Sequence, residues 1–82
     1  MSAWREGFID FRLGKKPDDN PYAYHGTQWH DWDAGWRTSA EKPVRFHVTY
    51  PDAYHYTLHR NGVVVGQYRY YYEVLDIVEK AE

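Results

Sequence analysis

KPVRFHVTY, residues 42–50, is where the chain changes its mode of folding. Before Pro43 the apolar residues recur every three or four positions. From Val44 onward they recur every second position: Val44, Phe46, Val48 and Tyr50 alternate with Arg45, His47 and Thr49. A period near 3.6 presents one face of a helix, and a period of 2 presents one face of a strand. Lys42-Pro43 therefore closes a helical half and opens a sheet. The fold class is α+β, with a helical hairpin over residues 1–42 and an antiparallel sheet plus closing helix over 43–82. At 82 residues the two halves are expected to share one core.

Downstream of Tyr50, Pro51-Asp52-Ala53 is expected to turn the chain. Tyr54, Tyr56 and Leu58 then carry the apolar face onto a second strand. Asn61-Gly62 predicts a two-residue type I′ hairpin, which needs positive φ at both positions. Val63 to Tyr70 is then the third strand, with a bulge at Gly66. A last helix follows, with Val74, Leu75, Val78 and Ala81 as its apolar stripe. The order is α-α-β-β-β-α.

Upstream, Ser2 is a candidate N-cap, Glu6 lies in the first helical turn and Gly14 suits the position just past the helix end. Trp4, Phe8 and Phe11 form one stripe, while Ile9 and Leu13 lie on another side. A helix apolar on two sides is sandwiched, either against the C-terminal half or against a partner, and so permits a homodimer. Residues 15–26 are dense in turn formers, and Pro21 restricts Asn20 to extended backbone. Thr27 is expected to cap a second helix running to Ala40, with Trp29, Trp32 and Trp36 on one face. Asp33 and Arg37 are spaced for an i, i+4 pair. Gly35 removes a side chain beside Trp32 and Trp36, as a close helix–helix approach requires.

Gly7, Gly14, Asn20-Pro21-Tyr22 and Gly35-Trp36-Arg37 occur in an order that resembles the ribosome modulation factor family of bacterial proteins. The resemblance spans residues 4–41. It implies two short helices joined by a Pro-Tyr turn, and a protein that docks on the small ribosomal subunit to silence translation. On that reading Arg5, Arg12, Lys15, Lys16 and Arg37 carry the rRNA contacts. The chain departs from the family in being far less basic, and residues 43–82 lie outside the resemblance.

Composition narrows the alternatives. Net charge is −2, so the chain is neither a generic basic nucleic-acid binder nor acidic enough for a DNA mimic. Cysteine is absent, which excludes disulfides and thiolate metal sites. MSAWREGF lacks the basic and apolar regions of a signal peptide, and Val63-Val64-Val65 is the longest apolar run; a cytoplasmic protein is expected. No nucleophile elbow or phosphate-cradling loop is present, so the expectation is a non-enzymatic protein without a cofactor.

Two groups of side chains remain as binding candidates. Arg5, Arg12, Lys15 and Lys16, with Arg37 near them, are placed to form a patch that meets phosphate, diluted by Asp10, Asp18 and Asp19. Tyr50, Tyr54, Tyr56, Tyr68, Tyr70, Tyr71 and Tyr72 crowd one small sheet and the start of its helix. One helix cannot cover both faces of a single-layer sheet, so some tyrosines are exposed or meet the N-terminal helices. Tyr54 and Tyr70 are the chosen partner-binding candidates, since exposed Tyr beside Arg is typical of interfaces. Small size, near-neutral charge and aromatic density fit a second reading as well: a phage or mobile-element inhibitor of a host defence complex, of the anti-CRISPR kind. His47, His55 and His59 are expected on one sheet face, but His55 and His59 are about 13 Å apart along a strand, so no shared metal is expected.

Overall fold

The computed structural model describes residues 2–50, 52 and 54–82. Its elements run α1 (Ala3–Arg12), a 3-10 turn (Pro17–Asp19), α2 (Thr27–Ala40), β1 (Phe46–Thr49), β2 (Tyr56–Arg60), β3 (Val63–Tyr68) and α3 (Tyr71–Lys80). The architecture is the expected α+β, and the strands form an antiparallel sheet in the order β1-β2-β3.

Local chemistry accounts for the ends of α1. The Ser2 side chain accepts the Arg5 backbone N–H, as an N-cap does. At the other end Gly14 adopts φ +91°, Lys15 N–H donates to the Asp10 carbonyl and Gly14 N–H to that of Phe11. That pair of bonds is a Schellman motif, which satisfies carbonyls the helix leaves open. α2 differs slightly from expectation. Its N-cap is Gly26, in extended backbone, and Thr27 is the first helical residue, making no capping bond.

α1 is sandwiched within the chain. Ile9 joins Phe46, Leu58, Val74 and Val78 in the buried core, with Leu13 packed against it. The opposite side faces α2, where Phe11 meets Trp36 edge-on at 5.1 Å and Trp32 is fully buried. Both apolar sides thus meet this chain, although Trp4, at the start of one stripe, stays 42% exposed. The two helices touch backbone to backbone. A Cβ at Gly7 would stand 2.0 Å from the Trp32 carbonyl oxygen, and one at Gly35 would stand 1.9 Å from that of Trp4. The glycines interlock, each receiving the other helix's main chain.

Side-chain bonds stitch the hairpin further. Trp32 Nε1 donates to Asp10 at 2.9 Å, and Trp36 Nε1 to the Lys15 carbonyl at 2.9 Å. Asn20 donates to the Trp29 carbonyl and accepts Tyr22 N–H, while the Tyr22 hydroxyl reaches Glu6. Burial raises the Asp10 pKa, and the Trp32 bond opposes that shift only in part. A carboxyl with a raised folded pKa stabilises most below its unfolded value of about 3.9 and less as pH rises through the folded pKa. Asp10→Asn keeps an acceptor for Trp32 without a buried charge, so its melting temperature at pH 7 should equal or exceed that of the parent. Asp10→Leu should fall by about 1–3 kcal/mol, the penalty of a buried donor left unpaired.

In the sheet Asn61 and Gly62 take φ 54° and 78°, the positive pair that a type I′ turn needs. Leu58 pairs with Gly66 but His59 with Val64, so Val65 is an extra residue and the bulge falls beside Gly66. β2 starts at Tyr56, later than the alternation suggests. Asp52 accepts the Tyr54 N–H at 2.7 Å, and this local turn holds Tyr54 off the ladder. The expected Pro51-Asp52-Ala53 turn lies partly outside the described residues. β3 ends at Tyr68, and Tyr70, expected in the strand, is the N-cap of α3. Among the described residues no helix is long and apolar enough to cross a membrane.

Candidate interaction surface

The basic residues proposed for phosphate contact do not form a patch. Arg12 is 5% exposed, and its Nη1 donates to the carbonyls of Val78, Glu79 and Ala81 at 2.7, 3.2 and 2.7 Å. Its guanidinium also lies 4.6 Å from the Phe8 ring centre. Arg12 therefore closes the C-terminus of α3, where a cation meets open carbonyls and the negative end of the helix. It is not a surface contact. Arg5, half-buried, bonds Glu79 and lies 2.9 Å from Asp76, both on α3. Both arginines thus fasten α1 to α3. Lys15 and Lys16 are exposed, and Arg37 is exposed but bonded to Asp33 at 2.9 Å, the expected i, i+4 pair. The Trp36 bond to the Lys15 carbonyl brings Lys15 beside the Trp36-Arg37 turn of α2. What survives of the patch is Lys15, Lys16 and Arg37.

The tyrosines do come together. Antiparallel pairing puts the end of β1, the start of β2 and the end of β3 at one end of the sheet, and α3 begins there too. Tyr56 and Tyr68 pair across strands and turn half-buried toward the core. Tyr50 meets Tyr56 edge-on at 5.0 Å, and Tyr56 meets Tyr71 at 5.3 Å. Tyr70 stacks on Tyr72 at 5.5 Å, and the Arg69 guanidinium lies 5.5 Å from the Tyr70 ring. Tyr54 is 71% exposed, Tyr50 65%, Tyr72 63% and Tyr70 49%. Tyr71, also exposed, lines a cleft of about 220 Å3 with Glu6, Ile9, Asp10 and Leu75. Burial first, then Tyr50, Asp10 and Tyr56, raises the Tyr71 pKa. At the same end the Tyr54 N–H bond, then His55, holds Asp52 below the usual carboxylate range.

Tyr54 and Tyr70, singled out in the sequence, are both on this surface. Tyr50 and Tyr72 belong with them; antiparallel pairing supplies that neighbourhood. A second exposed aromatic group escaped sequence reasoning: Tyr24, His25, Trp29 and His30 at the start of α2. Tyr24 and His25 lie 3.8 Å apart, and Tyr24 meets Trp29 edge-on at 5.1 Å. His47 and His59 are on one sheet face as expected. His55 is not, because it precedes β2 and bonds Asp52. No group of three or more potential metal-ligating side chains occurs among the described residues.

No protein-family model matches the chain, and neither a curated protein nor a solved structure matches it.

Proposed function

We propose that this chain is a non-enzymatic binding protein that engages a protein surface of a larger complex through the tyrosine-rich end of its sheet. One observation carries the reading: Tyr50, Tyr54, Tyr70 and Tyr72 are all exposed in the segments at one end of the sheet, with Arg69 over Tyr70. Tyrosine offers large contact area at low entropy cost, and Tyr and Arg dominate interface energetics. The scaffold supports the same reading, because Tyr50 rests edge-on against Tyr56, which packs on the core. Inhibition of a host complex by direct protein contact, as anti-CRISPR proteins do, is one role that such a surface serves.

Docking on the ribosome by RNA contact is the second reading, favoured by the exposed Lys15, Lys16 and Arg37. It is the weaker one, since Arg5 and Arg12 are occupied with α3. Affinity recovery from bacterial lysate, with and without nuclease, separates the two. The protein-contact reading expects a nuclease-resistant partner whose recovery falls at least tenfold with Tyr54→Ala/Tyr72→Ala, alanine substitution at hot spots costing about 2 kcal/mol or more. Lys15→Glu/Lys16→Glu and Tyr24→Ala should leave recovery unchanged. Salt-sensitive, nuclease-sensitive recovery of small-subunit proteins, lost with the lysine pair, would reverse the preference.

A further inference from the structure

The outer face of the sheet holds two imidazoles that the core does not use. His47 on β1 and His59 on β2 are direct cross-strand partners, on the face opposite Phe46 and Leu58. Their ring centres are 5.9 Å apart. His47 is exposed and His59 half-buried. The Thr49 hydroxyl, diagonal to His59 on the same face, lies 3.1 Å from His59 Nε2. Thr57, directly opposite Thr49, buries its hydroxyl with no hydrogen-bond partner among the described residues. Of the histidines, only His55 is ion-paired among the described residues, with Asp52.

Imidazole is the ligand of choice for late first-row divalent cations, and a chelating pair needs both rings held on one side of the ion. Metal–nitrogen bonds of about 2.0–2.1 Å bring two such rings to roughly 5 Å between centres. The observed pair is less than about 1 Å wider than that, a gap that small side-chain rotations close. Because the strand ladder fixes the register, both imidazoles are already on the same face before any ion arrives. Thr49 supplies the outer support that ligating histidines commonly have: a hydroxyl accepting Nε2–H leaves Nδ1 of His59 free to bind.

We propose that His47 and His59 form a two-imidazole site for a late first-row divalent cation, with water completing the coordination. Cu2+ binds more tightly than Zn2+, as the order of stabilities for nitrogen ligands requires. His25 and His30 are the competing pair, their ring centres 5.4 Å apart. The His25 ring is engaged at 3.8 Å with Tyr24, on a loop without a ladder to fix it.

Calorimetric titration of the untagged full chain with Cu2+, and separately with Zn2+, tests the assignment. One ion per chain is expected, with Cu2+ the tighter. His47→Ala and His59→Ala should each weaken binding at least tenfold, and Thr49→Val severalfold, while His25→Ala/His30→Ala leaves the affinity unchanged. The ion should also raise the melting temperature, since it ties β1 to β2 in the folded state only. His47 is exposed, so His47→Ala keeps the fold and remains decisive even where His59→Ala loosens the sheet. Unchanged affinity in His47→Ala, or loss of the ion in His25→Ala/His30→Ala, would overturn the proposal.

Discussion

Gly35→Ala should lower stability by about 2–3 kcal/mol, the scale of overpacking a filled interior. For a domain of this size that is a fall of roughly 10–20 °C in melting temperature, read by thermal circular dichroism. The sign is informative, because alanine is the better helix former by about 1 kcal/mol and an isolated α2 would gain from the change. The new Cβ would stand 1.9 Å from the Trp4 carbonyl oxygen, an atom of helix backbone that no rotamer moves aside. The helices must separate, which uncovers Trp32 and strains its bond to Asp10. Gly7→Ala meets the Trp32 carbonyl in the same way and should behave alike. Once α1 and α2 have moved apart the second methyl meets less resistance, so the double variant should lose less than the sum of the singles. Gly14→Ala is the contrast. Nothing lies within 4 Å of its added Cβ, and its φ of +91° alone sets a penalty of about 1–2 kcal/mol. A Gly35→Ala chain as stable as the parent would refute the backbone contact between α1 and α2.

Arg12→Met should cost about 3 kcal/mol or more, although the residue reads in the sequence as one more surface cation. Methionine fills much of the space but donates nothing. The Val78 carbonyl, buried where Arg12 reaches it, loses its donor at about 1–3 kcal/mol. The C-terminus of α3 also loses a fixed cation, worth up to about 2 kcal/mol in a partly buried setting. Lysine is no substitute, because its ammonium has no flat face to lie against Phe8 as the guanidinium does. The damage should start at α3: amide hydrogen exchange in residues 71–80 should accelerate before that of α2. Protection in α3 equal to the parent's would show that Arg12 is not its cap. One consequence bears on binding experiments. Loss of a partner in Arg12 variants reports unfolding of α3, so RNA contact is tested at Lys15 and Lys16 instead.

Much of the architecture was legible one element at a time. Ser2, Gly14, Pro43 and Asn61-Gly62 each impose a conformation on their own neighbourhood, and each is found where its chemistry put it. Tyr54 and Tyr70 were misplaced by the same reasoning. Alternation continues through them, but the Asp52 turn holds one off the ladder, and the N-cap of α3 claims the other. The binding surface was half legible. Tyrosine density announced it, yet which rings turn toward the core depends on the pairing of Tyr56 with Tyr68.

The charges show where local reading stops. Arg5 and Arg12 are only seven positions apart on one helix, and nothing nearby in the chain marks them as anything but solvated. Their partners are on α3, more than sixty residues away. Periodicity, caps and turn residues act between neighbours in sequence, so they determine the elements and their order. Whether a cation faces solvent or ends a helix, and which histidines stand side by side, depends on groups that meet only when distant elements pack. Packing decided the fate of Arg12, the interlock of Gly7 with Gly35 and the pairing of His47 with His59.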